Sequence, residues 1–293
     1  MLARFTVVTS ITIAALLVGA AILHLLPRLG RFGRVASDAM CRAPALDWLI
    51  TYFTVAPLIV GPIFAGWIGL SAGVTAQIVA LVGWTIAHEL AHPEARRGPR
   101  IIKVVNRMTG TARNLSACAV TAIVVPVFWV IRLAEVFLYP MLTKLVGLPP
   151  YRTQDWVNVS RHKFSGLVGH DRIWCLYCDW MTGVWSLGTE MLRNVESFWC
   201  PIKFASGAKC DHCKIDFPDI AHGWVPASGT MQEVTATLEE QYGGGSRAWF
   251  GSPTRITVRG REIAEQSADR EAGWSGNGFK RTLTSMNRRG VVA

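Results

Sequence analysis

Residues 48–92 read WLITYFTVAPLIVGPIFAGWIGLSAGVTAQIVALVGWTIAHELAH, and the run from Trp48 to Ala87 contains no charged side chain. This uncharged run is 40 residues long, about twice the ~20 residues with which a helix crosses the hydrocarbon core of a bilayer. Glycine and serine lie near its middle. We therefore expect two membrane helices, Trp48–Leu70 and Ser71–Ala87, joined as a tight hairpin.

Two further apolar runs flank this hairpin, Thr6–Pro27 and Leu115–Ile131. The chain has 293 residues, of which 51% are hydrophobic and 17% charged, and a mean hydropathy of +0.28. Such values argue against a disordered protein, which has low hydrophobicity and high charge. The predicted fold class is mainly α, with three to four membrane-spanning helices in a domain covering residues 1–147.

The charges of the chain indicate an anionic membrane surface as a partner. Lys and Arg number 30 against 20 Asp and Glu, a formal net charge of +10. Many of the basic residues directly follow apolar runs, namely Arg28, Arg31 and Arg34, then Arg96, Arg97, Arg100 and Lys103. Basic flanks of this kind are typical of the cytoplasmic ends of membrane helices. No nucleic-acid-binding motif accompanies them, so we expect a lipid bilayer and no nucleic acid as partner.

The basic flanks also predict topology. The arginines after residue 27 favour a retained first helix over a cleaved signal peptide. The fourth apolar run has basic residues on both sides and Pro126 within it, which favours a re-entrant or interface-lying pair of helices and keeps the following residues cytoplasmic. A true fourth crossing is the alternative and would place them outside. The predicted localisation is an integral membrane protein with its Cys-rich part in the cytoplasm.

The chain changes character after the linker at residues 147–150. Residues 151–225 contain six tryptophans and five of the seven cysteines, which predicts a small Cys- and Trp-rich metal-binding domain. Within it, apolar residues at helical spacing predict a short helix over Thr182–Val195. Residues 242–293 begin with a Gly-rich break and are basic, so we expect a flexible, disordered basic tail.

Two C-x2-C pairs stand in the predicted metal-binding domain: Cys175 with Cys178, and Cys210 with Cys213, with Cys200 between them. A C-x2-C turn directs two thiolates at one ion, and two such turns complete a tetrahedral site. Zinc held by four thiolates, an iron–sulfur cluster and a single tetrahedral iron all fit this pattern. The alternative is that these cysteines hold no metal and are free, or form disulfides if the domain is extracellular.

The second motif is His88-Glu89-Leu90-Ala91-His92, at the end of the third apolar run. Residues i and i+4 share one face of a helix, so His88 and His92 can reach one metal ion, and Glu89 can act as a general base on metal-bound water. His162 and His170 would complete the site if the chain after the membrane domain folds back under the bilayer. The alternative is a helix end in which both histidines cap the helix and Glu89 pairs with Arg96 or Arg97.

These five residues resemble the zinc-binding helix of zincin metalloproteases, which site-2-type intramembrane proteases place in a membrane segment. They are also similar to the first histidine box of membrane di-iron alkane hydroxylases and to the H-x3-H boxes of fatty-acid desaturases. The resemblance covers five of 293 residues. The chain has neither a downstream Asp-Gly pair nor a His-His pair, which those families carry elsewhere, and Pro93 stands where hydroxylases have a basic residue.

Three functions follow as hypotheses. The first is a metal-dependent membrane oxidoreductase acting on an apolar small molecule, with zinc or iron at the His and Cys sites. The second, nearly equal in weight, is a non-enzymatic, membrane-anchored zinc-binding accessory or assembly protein that works within a membrane protein complex. The third is an intramembrane metalloprotease with Glu89 as its base. Whether the chain is an enzyme is left open.

Overall fold

The computed structural model describes residues 1–207 and 224–242. These residues are mostly helical and contain two isolated β-bridges but no strand, which confirms the predicted mainly α class. The helices are α1 (Leu2–Leu25), α2 (Gly30–Met40), α3 (Ala45–Thr54), α4 (Ala56–Ala91), α5 (Pro93–Arg97), α6 (Ile101–Thr109), α7 (Thr111–Ile123), α8 (Val125–Leu133), α9 (Tyr139–Val146), α10 (Thr153–Trp156), α11 (Gly169–Trp199) and α12 (Met231–Tyr242).

The chain divides into two compact units. The first comprises residues 1–132 and 152–187, and the second comprises residues 133–151 and 188–293. The predicted division into a membrane domain over 1–147 and a Cys-rich domain over 151–225 remains a prediction.

Three helical segments are long and apolar enough to cross a membrane: Leu2–Arg28, Ala56–Ala91 and Thr111–Val146. The first contains the predicted span Thr6–Pro27, and the third contains the predicted segment Leu115–Ile131. Their length and composition are compatible with an integral membrane protein. Whether the third segment crosses the bilayer or lies at its surface remains a prediction.

The long helix α4 is a hairpin, as its uncharged sequence predicts. Helical geometry is interrupted at Ala65 and at Gly66, whose φ of 56° is in the left-handed region that favours glycine. Beyond the turn the two arms touch, because a Cβ added at Gly61 or Gly69 would overlap the backbone of the other. The turn therefore lies about five residues before the predicted Leu70–Ser71 junction, at the position where glycine permits it.

A glutamine completes the first arm of the hairpin where a proline interrupts its hydrogen bonds. In a continuous helix the Phe53 carbonyl would accept from the backbone N–H of residue 57, but residue 57 is proline and has none. The Gln77 side chain, on the second arm, donates instead to the carbonyls of Phe53 (2.9 Å) and Thr54 (2.6 Å). Such replacement is needed in a bilayer, where water cannot satisfy a free carbonyl.

Helix α1 packs along this hairpin in the first unit. The Tyr52 hydroxyl of α3 donates to the Ala15 carbonyl (2.5 Å), and the Tyr52 ring lies where a side chain at Gly19 would project. A small residue at position 19 thus lets two helices approach closely, as is common between membrane helices.

A buried polar cluster joins α3, α8 and α11 within the first unit. One oxygen of Asp47 accepts hydrogen bonds from Arg132 Nε (3.0 Å) and Nη2 (2.6 Å), and its other oxygen accepts from Trp180 Nε1 (3.2 Å). The Arg132 side chain is 3% exposed, so its charge requires the partner that Asp47 supplies. Nearby, residues 157–159 pair with residues 41–43 through the backbone.

Helix α11 is one long helix that contains the short predicted helix and also the two cysteines predicted to form the first metal-binding turn. It runs for 31 residues and includes Thr182–Val195 entirely. The prediction that Cys175 and Cys178 form a turn is therefore wrong, since both lie in this helix. Gly183, which lowers the helical propensity of the segment, is explained by a close approach, because a Cβ there would overlap the Trp156 carbonyl.

The second unit has its own buried polar contacts. Glu190 and Arg193, one helical turn apart on α11, form an ion pair of 2.8 Å with both side chains buried. Asn194 donates to the Tyr151 hydroxyl (2.5 Å). Helix α12 begins with a capping box, in which Thr230 and Glu233 each bond the backbone N–H of the other (3.3 and 2.6 Å). The predicted disordered tail, from residue 243 onward, lies outside the described residues.

Candidate functional site

The His88-Glu89-Leu90-Ala91-His92 motif forms the last turn of α4, within the first unit. The helix ends here because Pro93 follows, and a residue before proline is disfavoured in the helical region. His92 accordingly has φ −127° and ψ 66°. His88 is buried (8% exposed), Glu89 is partly buried and His92 is exposed.

The His88 ring is held in a fixed orientation. Its Nδ1 accepts a hydrogen bond from the backbone N–H of Gly169 (3.2 Å). Its ring stacks on Trp84 on one side and on His92 on the other, with centroids 4.6 and 4.4 Å apart. Since Nδ1 is the acceptor, a neutral ring carries its proton on Nε2 and has no further lone pair in its plane to offer a metal.

His92 closes the end of the helix. Its Nδ1–H donates to the carbonyl of His88 (2.9 Å), one of the carbonyls that a helix end leaves without an intrahelical partner. This bond leaves Nε2 as the acceptor nitrogen of the ring. The His24 ring of α1 lies 6.2 Å from the His88 ring, edge to face, and His24 Nε2 accepts from Arg28 (3.2 Å).

Glu89 belongs to a buried network with Arg100 and Asp171. The Arg100 side chain, 3% exposed, donates through Nη2 to Glu89 (2.8 Å) and through Nε to Asp171 (2.8 Å). It also donates to the Val168 carbonyl (3.2 Å). Burial acts to lower the pKa of Arg100, but the two carboxylates outweigh it and raise the pKa above its ordinary value, so the guanidinium stays charged.

Asp171 also caps helix α6 from a distant part of the chain. Its two oxygens accept from the backbone N–H groups of Ile101 (3.0 Å) and Ile102 (3.1 Å), the first residues of that helix. The residue in the N-cap position, Arg100, has no side-chain oxygen that could accept these hydrogen bonds. Asp171 supplies the accepting oxygens, and its negative charge is favourable at the positive end of the helix dipole.

Gly169 is the residue that permits this packing. Its φ is 53°, and a Cβ at this position would overlap the Glu89 side chain. We predict that Gly169→Ala lowers the free energy of unfolding by about 2–4 kcal/mol, from the strained backbone and the overlap combined. The measurement is the thermal unfolding midpoint in mild detergent. Gly166→Ala is the matched control, because Gly166 has φ 83° but open space around it. Equal losses in both variants would contradict the Glu89 contact.

Residues 168–171 fold back on the motif, as the complete metal site requires, but the residues in contact are not the predicted ligands. His88 of the motif accepts from the Gly169 backbone N–H. Arg100 donates to the Val168 carbonyl and to Asp171. His170 lies next to Asp171 (3.4 Å) and Trp174. His162 lies elsewhere in the unit, with its Nε2 3.7 Å from the Cys41 sulfur. Burial and the nearby Lys163 lower the pKa of His162.

The predicted cysteine ligands fall in three places. Cys175 and Cys178 lie one turn apart on α11, and Cys178 is exposed. The nearby Cys178 and Asp179, the latter 3.3 Å from Arg161, raise the pKa of the Arg161 guanidinium. Burial raises the pKa of the Cys175 thiol. Cys200 follows α11 in the second unit and is exposed. Cys210 and Cys213 lie outside the described residues.

Within residues 1–207 and 224–242, no three His, Cys, Asp or Glu side chains are grouped so as to hold a metal ion. The proposed ligand set of His88, His92, His162, His170 and the five cysteines includes residues beyond this part of the chain, and it remains a prediction.

The sequence predicted one of the two ion pairs of Glu89. Glu89 was expected to pair with Arg96 or Arg97, and Arg96 Nε lies 3.9 Å from Glu89 Oε2 in a pair whose arginine is exposed. The closer partner, Arg100, whose Nη2 lies 2.8 Å from Glu89 Oε1, was not predicted. A signal was present in the sequence, since Gly98-Pro99 predicts an extended or turn dipeptide that ends the preceding helix just before Arg100. The contact with Asp171, 71 residues later, has no local signal.

No protein family, curated protein or solved structure matches this chain in the comparisons made. Its function is therefore argued from its own residues.

Proposed function

We propose that the chain is a non-enzymatic, membrane-anchored accessory or assembly protein, in which the His88–His92 motif is a structural connector. The observation that carries this proposal is that His88 and Glu89 both make buried contacts with distant parts of the chain. Through Gly169 and Arg100, they tie the end of the hairpin to residues 168–171 and to helix α6.

The geometry of the two imidazoles supports this role. His88 and His92 stack with their ring planes 23° apart. Two ligands of one tetrahedral metal point nitrogens at a common centre, whereas stacked rings direct their nitrogens side by side. Glu89 is likewise engaged, because the oxygen nearest Arg100 already accepts a charge-assisted hydrogen bond.

The partner of an assembly protein needs an accessible surface. In the second unit, Leu192 and Trp199 of α11 are 56% and 54% exposed and lie seven residues apart, so they share one face of the helix. Exposed tryptophan beside an aliphatic residue is typical of protein interfaces. This face supports a partner protein in the membrane or at its surface.

Two substitutions of His88 test the connector role. The amide oxygen of His88→Asn can stand near the Nδ1 position and accept from Gly169, whereas that of His88→Gln extends toward the Nε2 position. We expect His88→Asn to keep most of the wild-type thermal stability and His88→Gln to lose about 1–3 kcal/mol, because a buried N–H is left without its acceptor. If His88→Gln were the more stable variant, the nitrogen that accepts the Gly169 N–H hydrogen bond would be Nε2 rather than Nδ1.

Metal content per chain, measured by element, is the second test. We expect zinc and iron in the purified protein to be unchanged by His92→Ala, which removes an exposed side chain. Any metal present is expected to fall in Cys175→Ser/Cys178→Ser. Iron that falls in the His92 variant would contradict the connector proposal.

A membrane oxidoreductase is the second candidate, and one observation favours it. The structure brings a third imidazole, His24, to the same end of the hairpin as His88 and His92. Iron lost in both His24→Ala and His92→Ala would support this candidate, with an apolar compound as the substrate class. The protease hypothesis gains no observation from the fold.

A further inference from the structure

We propose that helix α6 and the groove beside it form a binding site for an anionic phospholipid. This inference goes beyond the proposed function and does not depend on it. The groove has a volume of about 760 Å³ and is open to the surface, within the size range of sites that hold small apolar ligands.

The groove has three walls, all within the first unit. Helix α5 and the turn after it form one, the apolar face of α6 forms the second, and residues 164–167 form the third. The buried Arg100–Asp171 pair lies at its base. The charges of Arg100 and Asp171 are paired with each other, so the groove presents mainly apolar side chains to an occupant. Glu94 is the one other acidic group in its lining.

Helix α6 has the pattern of a helix that lies in a membrane surface. Ile101, Val104 and Met108 share one face and are 54%, 46% and 79% exposed. Arg107 lies at the edge of this face, and Lys103 lies away from it, with its Nζ donating to the Arg96 carbonyl (3.0 Å). Across the groove, Phe164 is 73% exposed. An amphipathic helix with basic residues on its polar face is typical of binding at the lipid interface.

The position of α6 in the chain places it at the bilayer. It lies between two of the segments long enough to cross a membrane, Ala56–Ala91 and Thr111–Val146. Only 19 residues separate them, so the helix is held close to the surface from both ends. Its uncovered apolar face is then next to acyl chains rather than bulk water.

Charge identifies the lipid as anionic. Residues 93–114 contain six basic residues and one acidic residue, Glu94. Of the basic residues, Arg97, Arg107 and Arg113 are exposed and have no ion-pair partner in the described part of the chain. Basic side chains near an anionic leaflet each contribute about 1 kcal/mol, which is about a fivefold change in affinity.

The same charges argue against the chain's own tail as the occupant. Residues 247–293 carry nine basic and four acidic residues, so the tail has the same sign as the α6 region. We infer that acyl chains cover the apolar face and groove, while the exposed arginines hold the phosphate of the headgroup.

The test uses the full-length protein in mild detergent with equal amounts of phosphatidylglycerol and phosphatidylcholine of the same chain length. Native mass spectrometry measures the ratio of the two lipids bound per chain. We expect wild type to prefer the anionic lipid at least tenfold, and Arg97→Gln/Arg107→Gln/Arg113→Gln to lose most of this preference. The matched control, Arg255→Gln/Arg259→Gln/Arg261→Gln, removes the same charge from the tail and should keep it. No preference in wild type, or loss in the control alone, would overturn the proposal.

A second measurement identifies what covers the apolar face. A photo-crosslinking amino acid is placed at position 108, or at position 103 on the opposite face, and the protein is reconstituted in vesicles of seven parts phosphatidylcholine to three parts phosphatidylglycerol. Lipid adducts at position 108 that exceed those at position 103 support the proposal. Adducts with residues 243–293, with a second copy or with no lipid at all would overturn it. The unfolding midpoint of each variant confirms that it is folded.

Discussion

Arg100→Met is expected to lower the free energy of unfolding by about 3–5 kcal/mol, because it leaves two carboxylates near the base of the hairpin without their shared cation. Arg100 is 3% exposed and Asp171 is 4% exposed, and Glu89 is partly buried. Asp171 keeps its two backbone donors on α6, so most of the cost falls on Glu89. The readout is the thermal midpoint in mild detergent, which we expect to fall by roughly 10 °C.

Two further variants show whether this loss comes from the ion network. Arg97→Met removes the same charge from an exposed position three residues away and is expected to change the midpoint by no more than about 2 °C. The double variant Arg100→Met/Glu89→Gln removes the unpaired carboxylate as well, so it should recover part of the loss. A double variant less stable than the sum of its single changes would mean that Glu89 is held by something other than Arg100.

Gly69→Ala is expected to prevent the hairpin from closing correctly, with a loss of about 3 kcal/mol or more. A Cβ at Gly69 would overlap the carbonyl and backbone of Gly61 on the other arm. Overpacking costs about 1–3 kcal/mol when side chains can move, and the cost is higher here because two helix backbones must separate. The expected result is a small yield of folded, monodisperse protein in size-exclusion chromatography and a lower unfolding midpoint.

The control for the hairpin variant lies on the same helix. A Cβ at Gly83 would have open space around it, so Gly83→Ala should be neutral or stabilising by up to about 1 kcal/mol, since alanine favours a helix more than glycine does. If both variants behave alike, the close approach of Gly61 and Gly69 does not hold the hairpin together.

The cysteine pattern shows why spacing alone is not enough to predict a site. A C-x2-C spacing is compatible with a turn or with one turn of a helix, and composition does not separate the two. Helix α11 runs through Cys175 and Cys178 because its buried face, with Trp180, Val184 and Leu187 fully buried, packs against the rest of the first unit. Tertiary burial of that face outweighs the helix-weakening glycines.

Local sequence patterns were enough to predict a mainly helical chain with long apolar helices, a hairpin between residues 48 and 87, and a His-Glu motif at a helix end. These features depend on local chemistry: an uncharged run, a glycine that permits a turn, and a proline that ends a helix. What the motif contacts depends on tertiary packing, because Gly169 and Arg100 reach it from outside its own helix and Asp171 in turn binds Arg100. A contact between residues about 70–80 positions apart depends on how helices pack, and no periodicity within either segment encodes it.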